Sequence, residues 1–231
     1  MAFSPDGQAL ASGQGDRMVH LWDLPSGNPS ETLAGAQSAI WSVAFSPDGN
    51  LLASGNEDGN VYLWPLSDSQ SNTQHRTRRS LSGHSKSIWT VAFSPTGDTI
   101  ASGSADQSIK LWDANSGKCR HTFTDHQHWV CSVAFHPKQN ILASGSYDRT
   151  IKLWNLETND CIETWKGHTS GLWCIAFSPK GDFLVSGSID TTVRVWDVKT
   201  GESQQVLTGH ENCAMAVAIS PDGKWIASGS A

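Results

Sequence analysis

The sequence predicts an all-β chain built from a repeated unit of four antiparallel strands, and three observations carry the prediction. One stretch recurs almost letter for letter: SGQGDRMVHLW from Ser12, SGNEDGNVYLW from Ser54, SGSADQSIKLW from Ser102, SGSYDRTIKLW from Ser144 and SGSIDTTVRVW from Ser186. An FSPDG-type turn begins at Phe3, Phe45, Phe93, Phe135, Phe177 and Ile219, in steps of 42, 48, 42, 42 and 42 residues. Between these breakers no segment sustains a 3.6-residue apolar period, so helix is not expected. A period near 42 that closes on Trp-Asp marks a four-stranded propeller blade.

The unit that begins at His84 shows the grammar. SIWTVAFS from Ser87 reads as strand a, DTIASGS from Asp98 as b, SIKLWD from Ser108 as c and KCRHTF from Lys118 as d. Each is a run rich in β-branched and aromatic residues, bounded by Pro, Gly, Asn and Asp. Pro5-Asp6-Gly7 and Pro47-Asp48-Gly49 supply a fixed φ and then a positive one for the a-to-b turn. The copy after Pro137 runs Lys138, Gln139, Asn140, and Asn140 is expected to take the left-handed place. Ser26-Gly27, Ser116-Gly117 and Thr200-Gly201 mark the c-to-d hairpins. The 48-residue step places an insertion between strands c and d of the second unit. It runs from Asp68 to Arg79 and ends in His75, Arg76, Arg78 and Arg79: a solvated hairpin extension, or a small basic patch for an acidic partner. The blades fall near residues 1–34, 35–82, 83–124, 125–166 and 167–208, with a half blade at 209–231. They are read as a single repeat domain, an incomplete ring or a segment of a longer array. Open sheet ends of this kind invite self-association.

Composition narrows the function. Formal charge is −6, from 16 basic and 22 acidic residues, with no basic face that would argue for nucleic acid. Cys119, Cys131, Cys161, Cys174 and Cys213 form no CxxC pair and are odd in number. They read as buried free thiols in a reducing compartment, with no metal site and no cofactor implied. No apolar run approaches the roughly 20 residues of a membrane helix and no signal pattern opens the chain, so a cytoplasmic protein without membrane contact is expected.

A polar set repeats with the strands. His84, Ser102, Asp106 and Trp112 recur as His126, Ser144, Asp148, Trp154 and as His168, Ser186, Asp190, Trp196, always 18, 4 and 6 residues apart. With Gly83-His84, Gly167-His168, Gly209-His210, Trp22-Asp23, Trp112-Asp113 and Trp196-Asp197, the whole chain resembles the WD40 repeat family. The resemblance implies a structural network: Asp accepts bonds in the b-to-c turn and from His, His bonds Ser, and Ser reaches the Trp N–H. Ser, His and Asp are also the parts of a hydrolytic triad, but three copies at one spacing, each ending on an indole, suit a brace repeated per blade. The second unit has Ala36 in place of His, so Asp58 is expected to find water or a backbone donor and that blade to be weaker. Pro65 and Asn155 replace the Asp after Trp, and Asp125 the Gly before His126.

The resemblance further implies a non-catalytic platform for a protein or peptide, bound on the face carrying the d-to-a and b-to-c loops. By that carry-over the contact residues are Trp41, Glu57, Ser87, Trp89, Trp129, Cys131, Tyr147, Trp173, Ile189, Cys213 and Met215, rich in the aromatic types that anchor interfaces. The competing reading makes the strand-a indoles filler between blades. Trp165 and Trp225 are expected to pack. Two alternatives stand beside the platform: an enzymatic propeller, which would need a non-repeated cluster of acid, base or metal ligands, and a regulatory segment of a larger multidomain signalling protein.

Overall fold

The computed structural model describes residues 1–66 and 78–231, and these form strands and turns without a helix. Two compact units result, Met1–Thr122 and Phe123–Ala231. The first holds three antiparallel blades in up-and-down order: β1 (Ala2–Phe3), β2 (Ala9–Gly13), β3 (Val19–Asp23), β4 (Pro29–Leu33); β5 (Ile40–Phe45), β6 (Leu51–Asn56), β7 (Asn60–Pro65), β8 (Arg79–Ser82); and β9 (Ile88–Phe93), β10 (Thr99–Ser104), β11 (Ile109–Asp113), β12 (Cys119–Phe123). The second holds β13 (Val130–Phe135), β14 (Ile141–Ser146), β15 (Thr150–Asn155), β16 (Cys161–Lys166), then β17 (Leu172–Phe177), β18 (Phe183–Ser188), β19 (Val193–Asp197), β20 (Ser203–Leu207), and a two-stranded sheet of β21 (Ala214–Ile219) and β22 (Ile226–Ser230). These sheets are the expected blades, five of four strands and one of two.

Burial explains why the Ala-Ser-Gly strand is so uniform. In β6, β10, β14 and β18 every residue after the first is buried, whereas β20 is exposed along nearly its whole length. Small residues let neighbouring blades approach. A Cβ on Gly55 would lie 2.7 Å from Ile88 Cγ2, and one on Gly187 would meet Cys174 Sγ at 2.7 Å and the Ala214 carbonyl at 2.8 Å. No real Cβ tolerates such distances, so glycine here is a packing requirement.

The a-to-b turn is a side-chain lock. Ser46 Oγ donates to Asp48 Oδ1 at 2.5 Å and accepts the Leu51 N–H at 2.9 Å, while Gly49 takes φ of +73°. The turn after Pro137 departs from expectation, because Asn140 is not left-handed. His136 replaces the serine: its buried Nδ1 accepts the N–H groups of Lys138 and Gln139 at 3.1 and 3.0 Å, and Nε2 donates to the Gly181 carbonyl at 3.1 Å. The ring holds the loop, and no positive φ is needed. In the c-to-d turn of that same blade Asn159 takes φ of +62°, the place of Gly27, Gly117 and Gly201.

Asp68, His75 and Arg76 of the insertion lie outside the described residues. Its last two arginines make contacts within the described residues. Arg78 stacks on the Tyr62 ring, 4.2 Å from its centre, and Arg79 donates to the carbonyls of Ala114 and Asn115. Trp165 packs as expected, stacked on Trp196 at 5.9 Å. Trp225 does not, being 74% exposed. Its counterparts Thr99 and Ile141 lie opposite a residue of strand c, which β21 and β22 do not provide.

Candidate functional site

Two layers of side chains occupy the end of each blade where the b-to-c turn meets the loop entering strand a. The inner layer is the repeated polar set. His84 Nδ1 lies 2.9 Å from Asp106 Oδ2 and its Nε2 2.7 Å from Ser102 Oγ, which accepts the Trp112 indole N–H at 2.8 Å. His126 repeats these contacts at 2.7, 2.7 and 2.8 Å, and His168 at 2.8, 2.7 and 2.8 Å. With the carboxylate ionised, the proton sits on Nδ1 and the bonds run one way: indole to hydroxyl, hydroxyl to imidazole, imidazole to carboxylate.

Electrostatics fit that order. Burial alone would raise the carboxyls of Asp106 and Asp148, but hydrogen bonds, chiefly from His84 and His126, outweigh it and hold both well below the usual carboxylate range. The same balance, led on the lowering side by Thr192 and His168, puts Asp190 at about 2. Burial pushes the His168 ring down against the pull of Asp190. Ser102, Ser144 and Ser186 are 0% exposed. Each hydroxyl is already committed to an indole and an imidazole, so none of the three sets offers a nucleophile to a substrate.

The unit with Ala36 in place of this histidine uses a donor that the repeat conceals. Asp58 does accept a backbone bond, from Asn60, but its other oxygen accepts the Tyr62 hydroxyl at 2.8 Å. In the first unit His20 reaches Asp16 at 2.9 Å from the same place, four residues on. Ser54, lacking a histidine, donates to Asn56 Oδ1 at 2.9 Å, and the Trp64 indole bond lengthens to 3.2 Å.

The outer layer consists of the residues expected to meet a partner. Backbone bonds tie each b-to-c turn to the loop before strand a: Glu57 N–H to Ala39, Ala105 to Ser87, Tyr147 to Trp129 and Ile189 to Gly171, all at 2.9–3.0 Å. Every one of these strands a carries a β-bulge at its second residue, so Trp41, Trp89, Cys131, Trp173 and Met215 are skipped by the ladder. A bulge re-aims its side chain out of the sheet alternation.

Within Met1–Thr122, Trp41 is 51% exposed and meets Trp89 at 5.0 Å, with Glu57 exposed and Ser87 half-buried, its hydroxyl donating to the Glu57 carbonyl. Within Phe123–Ala231, Tyr147 is the hub: Trp129 lies 5.4 Å away, Trp173 6.0 Å and His128 4.8 Å. Tyr147 fits because residue 171 is glycine, whose Cβ would come within 2.9 Å of the phenol ring. Ile189 and Cys213 are half-buried and Met215 is 48% exposed. Cys131 is a correction. At 6% exposure, with burial pushing its thiol up to about 12, it lies beneath the face rather than on it. His128 was not anticipated, since the equivalent residues, Lys86 and Ser170, give no hint of an aromatic. Among the described residues no group of three or more His, Cys, Asp or Glu side chains could hold a metal, and no helix is long and apolar enough to cross a membrane.

Comparison with known proteins agrees with this architecture. Residues 28–166 match the model of the CAF1B/HIR1 beta-propeller domain, and residues 1–23, 159–197 and 201–231 match the WD domain, G-beta repeat. A 35-residue stretch is 51% identical to a probable serine/threonine-protein kinase, PkwA, of Thermomonospora curvata; it covers 15% of this chain and 5% of that protein. The bladed sheets, the repeated His-Ser-Asp-Trp brace and these matches establish that the chain belongs to the WD40-repeat β-propeller family, with the greater part of its length in a CAF1B/HIR1-type propeller domain.

Proposed function

We propose that the protein is a non-catalytic platform that binds a peptide segment of a partner protein on the face carrying the bulged strand-a residues. One observation carries the reading: the same bulge in five blades takes a strand-a residue out of the ladder, and in four of them that residue is large, Trp41, Trp89, Trp173 or Met215, beside loops tied down by backbone bonds. Rigid aromatic groups on a pre-organised frame bind at low entropic cost. The burial of the three repeated serines supports the absence of hydrolytic chemistry. Selection of a displayed random-peptide library on the chain tests the proposal. Trp173→Ala is expected to lose the selected peptides without a fall in thermal stability; a variant that unfolds while wild-type binding ignores the indoles would make Trp173 a filler.

The kinase match favours a second reading, in which such blades serve as a regulatory segment of a larger signalling protein. The five cysteines are free, which supports a reducing, cytoplasmic setting, although of the thiols expected to be buried only Cys131 is, and Cys119 is exposed. The two-stranded sheet, with Trp225 and Met215 exposed, supports self-association through β22. A sharp monomer peak in light scattering at high concentration would count against that last point.

A further inference from the structure

A groove of about 960 Å³ opens beside the Tyr147 cluster, within Phe123–Ala231, and its walls include both His128 and Tyr147. Beyond those aromatics it is lined by Arg149, Lys152, Lys166 and Asp125. The register explains why the two lysines share it. Thr150 faces Lys166 and Lys152 faces Thr164 across β15 and β16, so all four lie on one side of the sheet, with Ile151 and Trp165 buried on the other.

Charge is concentrated here. Asp148 also borders the groove, but its oxygens are occupied by His126, the Gln127 N–H and Thr150. The Lys152 ammonium donates to Thr164 at 3.0 Å and keeps two protons to offer. Three cations therefore face one uncommitted carboxylate, Asp125, in a chain whose formal charge is −6.

Repeats this alike make departures informative. The position of Arg149 holds Arg17, Gly59, Gln107 and Thr191 in the other four-stranded blades, that of Tyr147 holds Gly15, Glu57, Ala105 and Ile189, and that of Lys166 holds Ala34, Ser82, Thr124 and Thr208. Nothing in the frame needs Arg149, Tyr147 and Lys166 together, yet they occur in one blade and line one groove. A site would have this form.

We infer that this groove seats an acidic peptide segment, its carboxylates on Arg149, Lys152 and Lys166 and an adjoining apolar or aromatic residue on the His128–Tyr147 surface. The assignment rests on the peptide-platform reading and names the chemistry of its ligand. Guanidinium and ammonium groups bind carboxylates by charge-assisted bonds, exposed enough here to be weakened by salt. The groove continues into the aromatic cluster, so one extended segment touches both.

The library selection is run on the full 231-residue chain and on the Arg149→Gln/Lys166→Gln double variant, both positions being exposed and outside the brace. Wild type is expected to enrich Asp and Glu in its selected peptides. Those peptides are expected to bind the double variant about tenfold or more weakly and to weaken on wild type as salt is raised, with Arg149→Lys restoring much of the loss. A wild-type pool rich in apolar residues without acidic enrichment, or equal binding by the double variant, overturns the inference and leaves the platform reading standing. A selection that enriches nothing overturns both. If a short labelled single-stranded DNA displaces the peptides more effectively than they displace each other, the groove is a nucleic-acid site and the acidic-peptide assignment falls.

Discussion

Ser144 illustrates what a repeated brace does for a buried hydroxyl. It accepts from Trp154, donates to His126 and is shielded from water, so deleting His126 would take the imidazole acceptor from a buried hydroxyl and leave Asp148 Oδ2 with the Gln127 N–H alone. His126→Ala is expected to cost about 1–3 kcal/mol, read as a shift of the urea midpoint. Tyr62→Phe, which removes a more accessible bond to Asp58, should cost about 1 kcal/mol or less. Acid acts on the same residues. The carboxyls of Asp106, Asp148 and Asp190 titrate lower folded than unfolded, so the unfolded chain binds protons first and stability falls as pH drops below about 4. His168 is also held down in the fold, which adds a loss of the same sign beginning near pH 6.5. Melting temperature should be level above neutrality, dip slightly near pH 6 and fall steeply below 4; a chain most stable at pH 4 would contradict the brace. Constant spacing made the His-Ser-Asp-Trp set readable in the sequence. Tyr62 and His20 were not, because their position holds Lys110, Lys152 and Arg194 in the other blades and suggests only solvent.

Strands came out within about a residue of their expected bounds, because Pro-Asp-Gly and Ser-Gly punctuation leaves little room for alternatives. What could not be read was pairing. The strand-a bulge is a property of two strands together, so the sequence showed that Trp41, Trp89 and Trp173 hold one position without showing why it projects. The turn at His136 was misjudged for a related reason: a ring acceptor for two N–H groups replaces the left-handed residue that the pattern suggested. Close packing between consecutive blades gives an element-scale test. Gly55→Ala drives a methyl group against Ile88 and Val91 and should cost about 1–3 kcal/mol in denaturant titration. Gly59→Ala combines a φ of +80° with a Cβ only 2.8 Å from the His84 carbonyl and should cost at least about 1–2 kcal/mol. Tolerance of either change at wild-type stability would mean that the blades sit less tightly than these distances require.

For the molecule as a whole, the repeat divides labour. What recurs in every blade is scaffold, and stability is assembled largely from each blade and its neighbour contacts. What does not recur, the Tyr147 cluster with Arg149 and Lys166, is where function is proposed. The fold is legible in spacing alone, whereas the groove is not, since Arg149 and Lys166 are 17 positions apart and border it together only because Lys166 pairs with Thr150 in the β15–β16 register. The separation of scaffold from site is tested most directly by measuring, side by side, the melting temperature and the affinity for selected peptides of His126→Ala and Trp173→Ala. The account predicts that His126→Ala melts lower, and that Trp173→Ala melts like wild type but binds at least about tenfold more weakly, as for a buried aromatic anchor. A Trp173→Ala chain that unfolds early, or a His126→Ala chain of unchanged stability that fails to bind, would contradict it.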